Sequence, residues 1–117
     1  MNNKVTGNKG EDMAVDYLIA HGYTILHRNW RFKSWEVDII ANKGKFLHFI
    51  EIKTRSSSAY GKPEESISKK KIDNLMNAAE EYQYQNPQWK FIQFDVLAIT
   101  LRYNGPAEFY MIEDVYL

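Results

Sequence analysis

Charged side chains at the end of an apolar segment are the first candidates for chemistry in this 117-residue chain. Glu51 and Lys53 lie two residues apart in the segment FLHFIEIK, and side chains at that spacing project from one face of a β-strand. Burying such charges costs several kcal/mol unless they form an ion pair or bind a metal. Taken alone, the two residues slightly favour a simple ion pair at a strand end over a cation site.

A second acid, Asp38, lies in the apolar segment that precedes this strand, and its presence favours a cation site over a simple ion pair. The segment Asn42–Lys45 predicts a hairpin turn between the two strands. If Asn42–Lys45 form the loop, Asp38 opposes Phe49 and is the diagonal neighbour of Glu51 on the same face, with α-carbons roughly 7–8 Å apart. Carboxylates at this separation can share a hard cation. Mg²⁺ suits them because it binds a few carboxylate oxygens and retains several waters.

Two predicted helices contribute further charged residues. Glu11 lies at helical spacing from Ala14 and Leu18, so it is a candidate third acid. A negative charge in a first helical turn is also favourable in itself, and the pattern does not separate the two interpretations. Lys69–Lys71 open the second helix, where positive charge opposes the helix dipole. They predict either a phosphate site or a solvated basic patch, and Lys71 is the best candidate for phosphate.

The positions of these residues depend on the elements that the rest of the sequence predicts. Apolar periodicity and turn residues predict one α/β domain over residues 1–117, a mixed central sheet flanked by helices in the order α-β-β-β-α-β-β. The predicted helices are Lys9–His21 and Ser66–Tyr84, the loop is Ser56–Glu65, and the strands are Tyr23–Arg31, Trp35–Ala41, Phe46–Thr54, Phe91–Leu101 and Phe109–Tyr116.

Composition and charge narrow the class of protein. Hydrophobic residues make up 44% of the chain, and cysteine is absent, which excludes disulfides and thiolate metal sites. The net charge is zero, but residues 27–71 carry 11 Lys and Arg against 5 acids, so one side of the domain can still attract a polyanion. Accidental segregation of charge is the alternative. Without an apolar leader or a membrane-length apolar segment, we expect a cytoplasmic protein with no membrane partner.

An ordered set of motifs resembles the uncharacterised bacterial YraN family over about residues 7–95. Through that family the chain resembles the restriction-endonuclease-like, PD-(D/E)XK, superfamily, and it is especially similar to archaeal Holliday junction resolvases. The residues that carry the resemblance are Gly7, Gly10, Glu11, Ala14, Tyr17, Leu18, Arg28–Arg31, Glu36–Ala41, Phe49–Arg55, Gly61 and Pro63.

This resemblance implies roles for individual residues. Asp38, Glu51 and the backbone carbonyl of Ile52 would hold Mg²⁺ or Mn²⁺, with help from Glu11, and Lys53 would orient water or stabilise charge on the phosphate. The basic residues Arg55, Lys69, Lys70 and Lys71 would hold nucleic acid. The resemblance also implies a homodimer. One departure is Trp35, where the family usually has glycine, and its ring would either narrow the approach to the site or cap the strand.

Three classes of function therefore stay open. The first, favoured by the resemblance, is a metal-dependent endonuclease that hydrolyses phosphodiester bonds of DNA, including branched DNA. The second is a non-catalytic nucleic-acid-binding module, because a fold does not fix an activity. The third is a protein-assembly domain in which the charges are structural.

Overall fold

A computed structural model describes the backbone of residues 3–56 and 68–115, with side chains from Gly10 onward in these ranges. The elements are α1 (Asn3–Ala20), β1 (Thr24–Phe32), β2 (Trp35–Lys43), β3 (Phe46–Ser56), α2 (Lys69–Gln85), β4 (Phe91–Leu101) and β5 (Glu108–Ile112). Their order confirms the predicted α-β-β-β-α-β-β fold.

The predicted boundaries differ from the observed ones mainly at the ends of the elements. Helix α1 begins six residues before the predicted Lys9, and β5 ends at Ile112, four residues before the predicted end. Helix α2 begins at Lys69 after the N-cap Ser68. The predicted start of that helix at Ser66, most of the predicted loop, Gly61 and Pro63 lie outside the described residues.

The five strands form a single mixed sheet in the order β1-β2-β3-β4-β5. Strands β3 and β4 are parallel, because α2 crosses over between them, and every other neighbouring pair is antiparallel. Strand β3 is central and is covered on both faces. On one face, a core cluster beneath α2, called the α2-side cluster, packs Leu47 and Phe49 of β3 against Leu75 and Tyr82 of the helix. On the other face, the α1-side cluster packs Ile50 of β3 against Leu18 of α1.

The turn between β2 and β3 is shorter than the sequence predicts. Lys43 pairs with Phe46, so only Gly44 and Lys45 lie in the turn, and the predicted loop Asn42–Lys45 was wrong. Gly44 adopts φ 62°, a left-handed conformation that costs glycine little and that closes a two-residue hairpin. The pairing shifts by two residues, an even number, which keeps Asp38 and Glu51 on the same face as predicted.

A buried hydrogen bond between His48 and Asp95, outside the predicted site, ties β3 to β4. His48 and Asp95 are almost fully buried, and His48 Nδ1 lies 2.6 Å from Asp95 Oδ2. The other oxygen of Asp95 accepts hydrogen bonds of 2.9 Å from the Gln93 amide and from the Asp114 backbone N–H. Because the carboxylate is fully hydrogen-bonded, it fixes the start of the parallel ladder and the segment after β5 without leaving an unpaired charge.

Neither helix in the described part of the chain is both long enough and apolar enough to cross a membrane.

The close approach of α1 to the end of β3 gives a test of the fold. A Cβ atom on Gly10 would overlap the Thr54 hydroxyl. We expect Gly10→Ala to lower the free energy of unfolding by about 1–3 kcal/mol, as overpacking does. Urea denaturation should show most of this loss recovered in the double variant Gly10→Ala/Thr54→Ala, compared with Thr54→Ala alone. Equal losses in both backgrounds would contradict this packing.

Candidate active site

The site begins where β2 separates from β3. The paired ladder ends at Ile39 and Ile50, and continuing it by one residue places Asp38 opposite Glu51, rather than opposite Phe49 as predicted. Val37 packs in the α2-side cluster and Ile39 in the α1-side cluster, although residues two apart on a regular strand share a face. Strand β2 therefore twists at Asp38.

The Asp38 side chain replaces the missing backbone partner of β3. Its Oδ2 accepts a hydrogen bond of 2.8 Å from the Ile52 backbone N–H. Because the N–H and C=O of one residue project from the same edge of a strand, the Ile52 carbonyl also faces the gap beside Asp38. Oxygen atoms from both strands, those of the Asp38 carboxylate and the Ile52 carbonyl, therefore line the gap.

Asp38 and Glu51 lie side by side, close enough for the charge of Glu51 to act on Asp38. Burial and the neighbouring Glu51 charge raise the pKa of Asp38 from 3.8 to about 7, although the Ile52 N–H opposes the rise. Burial and repulsion by Glu51 therefore keep Asp38 protonated up to near neutral pH. A bound cation would relieve the same repulsion.

Two lysines face the acid pair. Lys71 Nζ lies 3.1 Å from Glu51 Oε2. Lys53 lies against Lys71, whose hydrogen bond lowers the pKa of Lys53, as do burial and the Lys71 charge. The pKa of Lys71 is raised by that hydrogen bond with Lys53 and by its contact with Glu51. Of the two ammonium groups, Lys53 therefore loses its proton first, and Lys71 stays charged.

Helix α2 places Lys71 beside Glu51, although the two residues are far apart in sequence. Ser68 caps the helix and its hydroxyl accepts a hydrogen bond of 3.2 Å from the Lys71 backbone N–H. The acid–lysine cavity that results has a volume of about 280 Å³. Its walls come from the β1–β2 turn, β2, β3 and α2, and are formed by Ser34, Glu36, Asp38, Glu51, Lys71, Asn74 and Leu75.

Glu11, the predicted third acid, has other partners. Its carboxylate accepts hydrogen bonds from Arg28 Nε at 2.7 Å and from the Asn29 amide at 2.9 Å. Among residues 3–56 and 68–115, no three acidic, His or Cys side chains lie close enough to hold a metal. These contacts hold Glu11 against β1, and its predicted contribution to the site, directly or through a water, stays a prediction. Helical spacing could show only which helix face carries Glu11, not which strand lies beneath it.

The other predicted basic residues are spread around the cavity. Lys69 is exposed and pairs with Asp73 at 3.3 Å, Lys70 lines a groove beside the cavity, and Arg55 is half-buried on β3. Two cavity residues, Asn74 and Ser34, were not predicted from the sequence. Asn74 lies three residues after Lys71, a helical spacing that could have revealed it, whereas no pattern marks Ser34.

A mixed sheet with acids on adjacent strands and a crossover helix defines the restriction-endonuclease-like fold. The Holliday junction resolvase Hjc of Archaeoglobus fulgidus superposes with a TM-score of 0.51, covering 88% of this chain and 74% of Hjc. The sequence identity is 15%, so this similarity shows the shared fold.

The chain belongs to the uncharacterised protein family UPF0102, whose model matches residues 10–99. A UPF0102 protein of Dictyoglomus thermophilum is 42% identical over 106 residues, or 90% of each chain. A UPF0102 protein of Caldicellulosiruptor bescii is 40% identical over 119 residues, covering 99% of this chain and all of the relative. These matches confirm the family that the sequence motifs resemble.

The raised pKa of Asp38 predicts how stability depends on pH. A carboxyl group that is protonated up to about pH 7 in the folded state, but only up to about 3.8 in the unfolded state, stabilises the fold at low pH. That contribution is lost as the pH rises to 7 and above, by an amount on the order of a few kcal/mol. Asp38→Asn keeps an acceptor for Ile52 but cannot ionise.

We therefore expect Asp38→Asn to gain stability relative to the unsubstituted protein between pH 4 and pH 8 in buffers with a metal chelator. Urea denaturation across this range measures the difference in the free energy of unfolding. Asp73→Asn, which removes an exposed acid, is the control. A difference that does not change with pH would contradict the raised pKa of Asp38.

Proposed function

We propose that this protein is a metal-dependent endonuclease that hydrolyses phosphodiester bonds of DNA. The observation that carries the proposal is the pair of adjacent carboxylates, Asp38 and Glu51, with Lys53 and Lys71 beside them. The fold shared with Hjc, a Holliday junction resolvase, supports it further. Adjacent, partly buried acids next to ammonium groups are unfavourable for stability alone, since apolar residues would fill the space at lower cost.

The donor atoms of the site fit a hard divalent cation. Asp38, Glu51 and the Ile52 carbonyl would hold Mg²⁺ or Mn²⁺, which prefer oxygen ligands and complete their shell with water and phosphate. When bound, the cation supplies Lewis-acid polarisation of the phosphate and lowers the pKa of a coordinated water. Glu11, held by Arg28 and Asn29, would help to hold the cation directly or through a water.

The lysines supply proton and charge chemistry. Lys53, whose pKa is lowered by Lys71, can orient the attacking water through its amine and accept a proton from it. Lys71 keeps its charge and can donate to a non-bridging oxygen of the phosphate as negative charge develops there. The ion pair of Lys71 with Glu51 fixes the ammonium group in place before substrate arrives.

Basic residues around the cavity would bind the flanking DNA backbone. Lys70 and the first backbone N–H groups of α2 lie next to the cavity, and Lys69 and Arg55 extend the positive surface along α2 and β3. Such contacts fix the position of DNA without reading its sequence, and they weaken as salt rises. The proposed enzyme therefore has little sequence preference.

A cleavage assay tests the proposal. Purified protein is incubated with linear, flapped and four-way DNA, with Mg²⁺, Mn²⁺ or chelator. We expect metal-dependent cleavage that Asp38→Asn and Glu51→Gln abolish and that Lys53→Ala slows by about 100-fold or more. The matched control is Glu108→Gln, which removes an acid paired with Arg102 on the opposite edge of the sheet.

Cleavage that survives Glu51→Gln would contradict the assignment, as would the absence of cleavage from every substrate with both metals. Salt-sensitive DNA binding that strengthens in Asp38→Asn, without cleavage by the unsubstituted protein, would instead identify a non-catalytic binding module.

A further inference from the structure

A groove leads away from the acid–lysine cavity along the outer face of α2. Its nearer compartment, of about 450 Å³, shares Ser34 and Asn74 with the cavity and also contacts Trp35 and Lys70. Its farther compartment, of about 320 Å³, shares Trp35 and Asn77 with the nearer one. The two compartments together are called the Trp35 groove. Because each shares lining residues with its neighbour, the groove runs on from the cavity.

The ring of Trp35 is held rigidly from behind. It stacks on Phe32, with ring centroids 6.1 Å apart and planes inclined by 26°, and it packs against the α2-side cluster. The two-residue turn Lys33–Ser34, in which Lys33 has φ 57°, joins β1 to β2 directly before it. A flat aromatic surface that is already fixed in place loses little entropy when another ring stacks on it.

The charges in the Trp35 groove exclude phosphate from its farther end. Lys70 lies in the nearer compartment, but Asp73 lies there as well, and Glu80 and Glu81 line the farther compartment. These carboxylates repel a phosphodiester backbone. They accept hydrogen bonds from exocyclic amines, and the Asn77 amide can both donate and accept, which suits the edges of nucleobases.

The position of Trp35 relative to the acids sets which part of a substrate can reach it. Trp35 precedes Asp38 by three residues on β2, so their backbones are about 10 Å apart at about 3.3 Å per residue. A phosphate bound at Asp38 and Glu51 would place the neighbouring nucleotide near the ring. In an intact duplex that base is stacked and paired, so only an unpaired base can enter the Trp35 groove.

We propose that the Trp35 groove is a subsite for an unpaired nucleobase next to the scissile phosphate, so that this protein prefers DNA with unpaired nucleotides at the cleavage point over continuous duplex. The inference rests on the proposed nuclease function, because it needs a phosphate at Asp38 and Glu51. It assigns Trp35 as the residue that determines specificity.

Binding measured without turnover tests the subsite. Fluorescently labelled DNA of equal length is titrated with the Glu51→Gln protein, using a continuous duplex, a duplex with one unpaired nucleotide, and the same duplex with an unpaired abasic nucleotide. We expect the unpaired base to improve affinity by about ten-fold over both other DNAs, as expected for stacking on an aromatic ring. 2-Aminopurine at the unpaired position should lose fluorescence when it stacks.

Variants of the groove separate the subsite from general DNA binding. Trp35→Ala should bring the preference close to one, and Trp35→Phe should retain part of it. Asn77→Trp, which fills the groove from an exposed position on α2, should also abolish the preference without disturbing the core. Tyr103→Ala, at an exposed aromatic residue between β4 and β5, is the matched control.

Some outcomes would overturn the subsite while leaving the nuclease intact. One is metal-dependent cleavage together with equal affinity for all three DNAs. Another is equal affinity for the unpaired base and the abasic nucleotide, which would show that backbone flexibility is the cause. A preference that survives both Trp35→Ala and Asn77→Trp would also overturn it. Absence of DNA binding together with absence of cleavage would overturn both proposals.

Discussion

The hydrogen bond from the Ile52 backbone N–H to Asp38 is the interaction on which the site depends. Strand β3 needs a partner on its β2 edge, but β2 is twisted away at Asp38, directly before the paired residue Ile39. The Asp38 carboxylate satisfies the exposed N–H at 2.8 Å and is thereby held in a half-buried position beside Glu51. Because a backbone N–H holds one oxygen of Asp38, the orientation of this carboxylate does not depend on a partner side chain that could move. The end of a regular ladder thus creates a rigid place for paired acids.

The charge of the site is balanced by residues from a distant element. Two adjacent carboxylates are costly, and that cost is reduced by the proton that Asp38 keeps up to near neutral pH and by the Lys71 ammonium at Glu51. Lys71 reaches the acids because the Ser68 cap fixes the first turn of α2 and because Leu75 and Tyr82 bury the helix against β3. Packing of the α2-side cluster therefore sets the electrostatics of the cavity and, through the outer face of α2, the walls of the Trp35 groove.

Much of the fold could be predicted from the sequence because its signals are local. Alternating and continuous apolar runs gave the strands in their correct order, and helical spacing identified α2 and its buried face. The pairing of Asp38 with Glu51 was predicted on the right face but two residues out of register, because the length of a tight turn depends on Gly44 adopting a left-handed conformation. Helical spacing could not show that α1 places Glu11 against Arg28 and Asn29, so its contribution to the acid pair stays a prediction.

By itself, the sequence determined which residues share a strand or helix face, and so placed Glu51 and Lys53 together and singled out Asp38 and Lys71. Only the tertiary structure decided how these groups meet. The twist at Asp38, the capture of the Ile52 N–H, the contact of Lys71 with both Glu51 and Lys53, and the groove beside Trp35 join elements far apart along the chain. Their geometry follows from how a twisted sheet and a crossover helix pack, which no local pattern specifies, because side-chain periodicity fixes directions within an element but not the distance to its neighbours.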